Sequence, residues 1–530
     1  MKIFLNRFVT IVTKVHFASF FLMLFCLFIL GLSIRGNYGS PDVNQLNSAA
    51  WEVNGPFELS PEKGRFALTY SLLENHSFQF SDNLANFAAP DVAVTKNGKY
   101  ASLFAPTLSF ITMPGYTIGK FFNISQVGTF SVIALFALLN LCLIRAIAIK
   151  LGANKLAATL GGVVFVFATP AFAYGVNLYQ HHVSTFLILS SIYLLIRFKG
   201  FVSLFLIFLL CSLALTLDYP NLFMMFPIGL VCLSRMISFT RIRNSLKFSI
   251  KIPLIVSTVA LIFPLLFFLW FNNASFGNPF QLSGTLRTIK DVSKVQTDKS
   301  SSKGVQPGLG KVPRKEKTAV GFFTTRNLTN GLYLLFISPD RGMIFYTPVM
   351  LFGIIGIILA IKKKARMSVL MVAIIGANIL LYSLWADPWG GWAFGSRYLI
   401  PTYAILSIFI ALFLTFWSNK YFLMPVFAFA AFYSVAVNTL GAITTSALPP
   451  QVEVLELEKL SGLVQKYTYE RNWDFLLAGH SKSFVYQTFL KDYLSTFQFY
   501  MILTISICAF IATTLIFYIK SSEKKGNSNA

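Results

Sequence analysis

Twelve ionisable residues of this chain sit where apolar runs end or in the segments between them: Asp42, Glu62, Arg65, Asp91, Lys99, His181, His182, Asp218, Asp340, Arg341, Asp387 and Arg397. Singly, each is an ordinary solvated or capping residue. Together they bring carboxylates that can accept a proton and guanidiniums that can grip an anion through paired donors. Their convergence predicts a polar cavity at the level of lipid headgroups, suited to a substrate with an apolar tail and a polar head. Tyr100 and Tyr219 adjoin the same residues and are counted with that cavity. Arg341 and Arg397 lie in Gly- and aromatic-rich segments beside apolar runs, where an arginine can snorkel to a phosphate, so both are expected to reach one anionic headgroup.

The elements that must position these groups are apolar helices. Hydrophobic residues make up 55% of the 530, charged residues 12%, and the mean hydropathy is +0.65, which excludes a water-soluble monomer. A helix crosses the roughly 30 Å hydrocarbon core with about 20 residues. Runs at 17–34, 125–144, 157–176, 183–196, 201–217, 221–234, 252–271, 346–361, 368–385, 398–418, 421–441 and 496–519 give about twelve crossings. The expected class is therefore an all-α polytopic membrane protein with a long first outer loop and interfacial or re-entrant helices. The first run follows Lys2, Arg7 and Lys14 and ends without a small-residue cleavage signal, so it is read as a retained anchor. Its organisation is 1–34, a cytoplasmic N-terminus and first span; 35–124, a first outer loop with an interfacial helix; 125–271, six spans; 272–345, an outer loop with a basic run and a re-entrant segment; 346–441, four spans; 442–495, an outer amphipathic segment; and 496–530, the last span and a tail.

Charge orients this array. The segments assigned to the cytoplasm hold twenty-one Lys and Arg residues and one acid, Glu523, and the bias has the same sense in every such loop. The net charge of +24 is thus topological and does not call for nucleic acid. Both termini are placed in the cytoplasm of an inner-membrane, multi-pass protein. Two apolar stretches are excluded from the count. Phe104 to Phe122 carries Pro106, Pro114, Gly115 and Gly119, and Leu328 to Tyr346 carries Pro339-Asp340-Arg341-Gly342. Three outer segments remain, Arg35 to Leu103, Asn272 to Asn327 and Gly441 to Gln498; the second holds a flexible basic run from Thr285 to Ala319. The five cysteines all lie in apolar runs, and neither a disulfide framework, a CxxC metal site nor an internal repeat is present.

On these motifs the chain resembles the GT-C superfamily of membrane glycosyltransferases, which includes protein O-mannosyltransferases and aminoarabinose transferases. The resemblance covers most of the chain. It rests on the single span before a long first loop, on Gly64-Arg65-Phe66, Ala89-Pro90-Asp91, Asn97-Gly98-Lys99-Tyr100 and Pro114-Gly115-Tyr116, and further on Tyr179-Gln180-His181-His182, Asp218-Tyr219-Pro220, Pro339-Asp340-Arg341-Gly342 and Ser396-Arg397-Tyr398. It implies transfer of a sugar from a polyprenyl-phosphate donor to an extracytoplasmic glycan, lipid or protein, with inversion. A first-loop acid would then be the general base, with Asp91 preferred over Glu62 and Asp42, and Arg65, Lys99, Arg341 and Arg397 would bind the donor phosphate. Members of the class usually place an acidic pair, or an acid just before Arg-Tyr or Arg-Phe, early in that loop; here Glu62 precedes Gly64-Arg65-Phe66 at a different spacing, so all three acids stay open. No cofactor is called for, and a divalent cation is left open. The rival classes are an envelope polysaccharide polymerase or ligase, and a lipid or glycolipid transporter.

The topology makes a direct prediction. A cysteine placed at Ser40 or Asn97 should react with a membrane-impermeant maleimide in intact cells, and labelling that appears only after lysis would contradict the orientation.

Overall fold

A computed structural model describes residues 21–52, 55–242, 245–288, 323–417 and 420–527. Most of it is helix. Among the described residues five helices are long and apolar enough to cross a membrane: Ser125–Lys150, Ile252–Phe276, Arg397–Phe416, Phe422–Ile443 and Thr496–Ser521. Seven shorter apolar helices join them: Phe21–Ser33, Lys155–Phe167, His181–Arg197, Phe201–Leu217, Asn221–Met236, Pro348–Lys362 and Ser368–Ser383. At 1.5 Å per residue the shorter ones reach at most about 26 Å, so length alone supports five crossings. The chain is a multi-pass membrane protein.

The bundle closes around one helix. Every residue from Ile400 to Leu414 is buried, against Leu351–Lys362, Lys155–Phe167, Ser125–Lys150 and His181–Arg197. Association between apolar helices in lipid depends on close packing, and glycines provide it. A Cβ on Gly356 would stand 2.1 Å from the Phe409 carbonyl oxygen, and one on Gly161 would stand 2.5 Å from that of Ser407. Asn378 ties the next helix to the start of the central one, donating from Nδ2 to Thr402 Oγ1 at 2.8 Å and to the Tyr398 carbonyl at 3.2 Å. Arg397 and Tyr398 are therefore carried at the end of the most enclosed helix, opposite the Lys- and Arg-rich helix ends.

The outer layer corrects the all-α expectation. Between Arg35 and Leu103 lie the helices Ser60–Glu74 and Asp82–Ala88, two shorter helices, and the strands Gln79–Phe80, Val92–Val94 and Tyr100–Ser102. Arg287–Thr288 adds a fourth strand, and all pairings in this sheet are antiparallel. The cause is local. Val92-Ala93-Val94 and Tyr100-Ala101-Ser102 flank an Asn97-Gly98 turn in which Gly98 has φ +74°, a strong short-range hairpin signal. A second hairpin pairs Ile237–Ile242 with Ser245–Ile250 on the basic side of the bundle.

The two broken stretches each form a helix. Thr107–Phe121 lies against Ser125–Lys150, where a Cβ on Gly115 would come within 2.4 Å of the Gly128 carbonyl oxygen. Leu328–Phe336 ends before the Pro339 to Gly342 break. The basic run lies outside the described residues from position 289 onward.

Candidate active site

Six elements end at one cavity of about 170 Å³. Arg65 enters from the first turns of Ser60–Glu74, His181 from the start of its helix and Asp218 from the joint between Phe201–Leu217 and Asn221–Met236; Arg397 and Tyr398 come from the central helix. Aromatic rings set the two guanidiniums in place. Arg65 Cζ lies 4.3 Å from the centre of the Phe104 ring, and Arg397 Cζ lies 5.2 Å from that of Tyr179 and 5.5 Å from that of Tyr398. Tyr398 in turn stacks on Tyr382 at 4.1 Å, and His181 stacks on Tyr179 at 5.9 Å.

The hydrogen-bonding capacity of this wall is largely unused. Arg397 donates from Nη2 to the Gly390 carbonyl at 2.5 Å, while its Nε and Nη1 have no hydrogen-bond partner; nor does His181 Nε2. Buried polar atoms left this way cost about 1–3 kcal/mol each. Asp218 is the acid lining the cavity, and its Oδ2 accepts from Gln180 at 2.9 Å. Burial pushes Asp218 above the usual carboxylate range, against Gln180, Arg65 and Arg397. Burial also pulls Arg65 down to about 10, with Asp218 and Tyr179 opposing. Two cations facing one acid leave the cavity positive, with donors aimed at acceptor oxygens that the chain does not provide.

A second polar cluster adjoins the first behind Tyr179. Arg35 Nη1 pairs with Glu58 Oε2 at 2.6 Å and donates to Ser446 Oγ at 3.2 Å, while Nη2 donates to the Gly441 carbonyl at 3.1 Å. Glu58 also accepts from the Ser446 backbone N–H at 2.8 Å. Glu62, one turn along, accepts from the Glu58 backbone N–H at 3.2 Å and from Asn177 Nδ2 at 3.3 Å. Two carboxyls thus share Arg35 unequally, with Lys482 also acting on Glu58. Burial raises Glu62 to about 7, Arg35 opposes this and Glu58 adds to it; Glu58, which holds Arg35 directly, stays below its ordinary value despite its burial. Glu62 is consequently a carboxyl able to take or give a proton near neutral pH.

The residues singled out from sequence divide into three groups. Arg65, His181, Asp218 and Arg397 line the cavity, with Glu62 in the adjoining cluster and Asp91 nearby, where Asp91 Oδ2 accepts from the Ser60 hydroxyl at 2.5 Å. Tyr219 and Asp387 flank it. Tyr219 packs its ring on Phe268 at 5.9 Å, and Asp387 is exposed in the turn before Gly390.

The others lie apart. Asp42 is an exposed helix cap bonded to the Gln45 N–H at 2.8 Å, Lys99 is exposed beside the Asn97-Gly98 turn, and Tyr100 is buried in the small sheet. His182 sits between helices, its Nε2 at 2.7 Å from the Ala171 carbonyl oxygen. Asp340 and Arg341 correct the expectation of a shared headgroup site. Arg341 Nη1 binds Asp340 at 2.6 Å, and Nη2 donates to the carbonyls of Gly391 at 3.3 Å and Leu448 at 2.9 Å, so that guanidinium is occupied in fastening loops. Sequence reasoning quoted Tyr179, Gln180 and Tyr398 only within motifs and passed over Glu58, although Arg35 at the end of an apolar run demanded a counter-charge. Among the described residues no group of three His, Cys, Asp or Glu residues could hold a metal ion.

No protein-family model matches the chain, and no curated protein matches it. Solved structures similar to it include ArnT from Cupriavidus metallidurans, in the apo state and bound to undecaprenyl phosphate. These are 12% and 11% identical, with TM-scores of 0.44 and 0.45, and the matches cover 94% of this chain and 78% and 77% of theirs. Another is the oligosaccharyltransferase of Archaeoglobus fulgidus in its apo form, at 13% identity and a TM-score of 0.38, covering 92% of this chain and 55% of that one.

The two buried arginines should respond unequally to removal. Arg341→Ala leaves Asp340 buried without its cation, and breaking a buried pair this way costs about 3–5 kcal/mol, so thermal unfolding in detergent should shift strongly downward. Arg397→Gln removes two unpartnered donors and should shift it far less. Equal shifts would contradict the division between a fastening and a ligand-binding arginine.

Proposed function

We propose that the chain is a membrane glycosyltransferase that takes a sugar from a polyprenyl-phosphate donor and gives it to an extracytoplasmic acceptor. One observation carries this reading: Arg397 presents two unpartnered donors, with Arg65 and His181 beside it, to one cavity at the helix ends opposite the basic loops. A phosphate supplies the oxygens that those donors lack. In this reading all twelve apolar helices cross the inner membrane, both termini are cytoplasmic, and the cavity opens at the outer headgroup level.

Arg65 and Arg397 hold the donor phosphate, and Tyr179 and His181 orient it. The acceptor hydroxyl attacks the anomeric carbon as the bond from that carbon to the phosphate oxygen breaks. The leaving phosphate takes the bonding electron pair, and the guanidiniums stabilise its added charge. The hydroxyl proton passes by way of the Tyr179 hydroxyl, which faces Glu62, to the Glu62 carboxylate. Glu62 is favoured over Asp91 because its proton affinity matches a task near pH 7, and over Asp42 because Asp42 is a helix cap. A single displacement of this kind inverts the anomeric centre.

The test uses purified protein in nanodiscs with polyprenyl phosphate, polyprenol and polyprenyl-phosphate sugars. Polyprenyl phosphate should bind at least about tenfold more tightly than polyprenol, and Arg397→Gln should remove about that factor. Glu62→Gln should retain binding and lose about 10²- to 10⁴-fold in transfer. A base must be unprotonated, so wild-type single-turnover rates should rise with pH through about 7 and fall away below it. Equal binding of alcohol and phosphate would contradict the site, and lipid flux across the bilayer without transfer would favour a transporter.

A further inference from the structure

The cavity gathers three charged side chains around about 170 Å³, and one of them opposes an anionic ligand. Arg65 and Arg397 bring two positive charges and Asp218 one negative charge. His181 is counted as neutral, because a third cation enclosed with two guanidiniums would repel both. Asp218 is placed by the backbone and by Gln180, not by an arginine. It ends the Phe201–Leu217 helix, where its N–H donates to the Ala214 carbonyl at 3.1 Å, and Pro220 two positions on turns the chain into the next helix. Its Oδ2 accepts from Gln180 at 2.9 Å, and among the described residues it forms no salt bridge. Asp340 is the contrast, its charge closed on Arg341 at 2.6 Å. The charge of Asp218 is left to act on whatever fills the cavity.

We propose that Asp218 matches the cavity to the single charge of a phosphodiester, so that the donor is held and the phosphomonoester left by transfer is released. The inference rests on the functional reading above and adds to it what separates substrate from product. In the donor the phosphate is esterified twice and carries one negative charge. Transfer breaks the bond from the anomeric carbon to the phosphate oxygen, that oxygen keeps the electron pair, and the acceptor's hydroxyl proton goes to the base. The product is a monoester with a second pKa of about 6, so it carries nearly two charges at neutral pH. Two arginines alone would match that dianion and retain it. With Asp218 ionised the cavity has one net positive charge, which suits the diester, and the dianion must bring a proton, on the phosphate or on Asp218, to be held as well. Burial already keeps Asp218 above the usual carboxylate range, and a further negative charge beside it raises it more. Besides Arg65 and Arg397, the ionisable groups that act on Asp218 are Tyr382, Tyr398 and the adjacent Tyr219; Glu62, behind Tyr179, titrates at about 7.

The probes are polyprenyl phosphate and its methyl ester, which share a tail and differ by one charge, bound to purified protein in zwitterionic nanodiscs from pH 6 to 8. Wild-type affinity for the phosphate, relative to the ester, should fall at least about tenfold over this range, because the phosphate loses its second proton above about pH 6. Asp218→Asn keeps an acceptor for Gln180 and removes the charge. At pH 8 it should bind the phosphate at least about tenfold more tightly than wild type and the ester about threefold more tightly, since the Coulomb energy scales with the charge of the ligand. Glu62 is common to both proteins and cancels in that comparison. A wild-type ratio that stays flat from pH 6 to 8 overturns the proposal, as does a gain for the phosphate in Asp218→Asn no larger than that for the ester. If Asp218→Asn binds neither lipid it is misfolded, and Asp218→Ser, scored the same way, decides. Wild type binding both lipids no better than polyprenol would end the cavity reading itself, and this proposal with it.

Discussion

Burying the Arg397 guanidinium beside that of Arg65, with two of its own donors unpartnered, is unfavourable, and the molecule is arranged around that cost. Arg65 and Arg397 lie on elements that share no covalent proximity, and aromatic faces of Phe104, Tyr179 and Tyr398 hold them where like charges would otherwise part. Arg397 cannot retreat, because the helix that carries it is packed on every side from Ile400 to Leu414. Backbone contacts at glycines fix that helix. The unpartnered donors of Arg397 are thus held in place by the packing of the bundle.

The Glu62 cluster is separated from the two cavity guanidiniums by one ring. Tyr179 faces the guanidiniums on one side and Glu62 on the other. Arg35 serves Glu58 first, and this asymmetry leaves Glu62 with a proton affinity near neutrality in place of the low value of a fully paired carboxylate. The same principle applied to Asp340 and Arg341 gives the opposite outcome, a pair that closes on itself and fastens loops.

The helical bundle was legible because the apolar runs and the one-sided placement of Lys and Arg each act over many residues. The cavity was partly legible. Arg65, His181, Asp218 and Arg397 stood at helix ends on one side, and topology alone brings such ends together. Arg341 looked equivalent to Arg397 in sequence, and only its contact with the adjacent Asp340 separates a satisfied guanidinium from an unsatisfied one. Asn97-Gly98, quoted in sequence as part of the family resemblance, is also a hairpin turn, and it leaves Lys99 exposed away from the cavity. Glu58 carried no local signal of its own, since its partner lies 23 positions away across the first loop.

The central claim is that Arg65 and Arg397 together bind a lipid phosphate. The most direct measurement is a cryo-electron microscopy map of the protein in nanodiscs with bound polyprenyl phosphate. The account predicts phosphate density between the two guanidiniums, within about 3 Å of Arg397 Nη1 and His181 Nε2. Density for the phosphate at any other site, with this cavity unchanged, would contradict it.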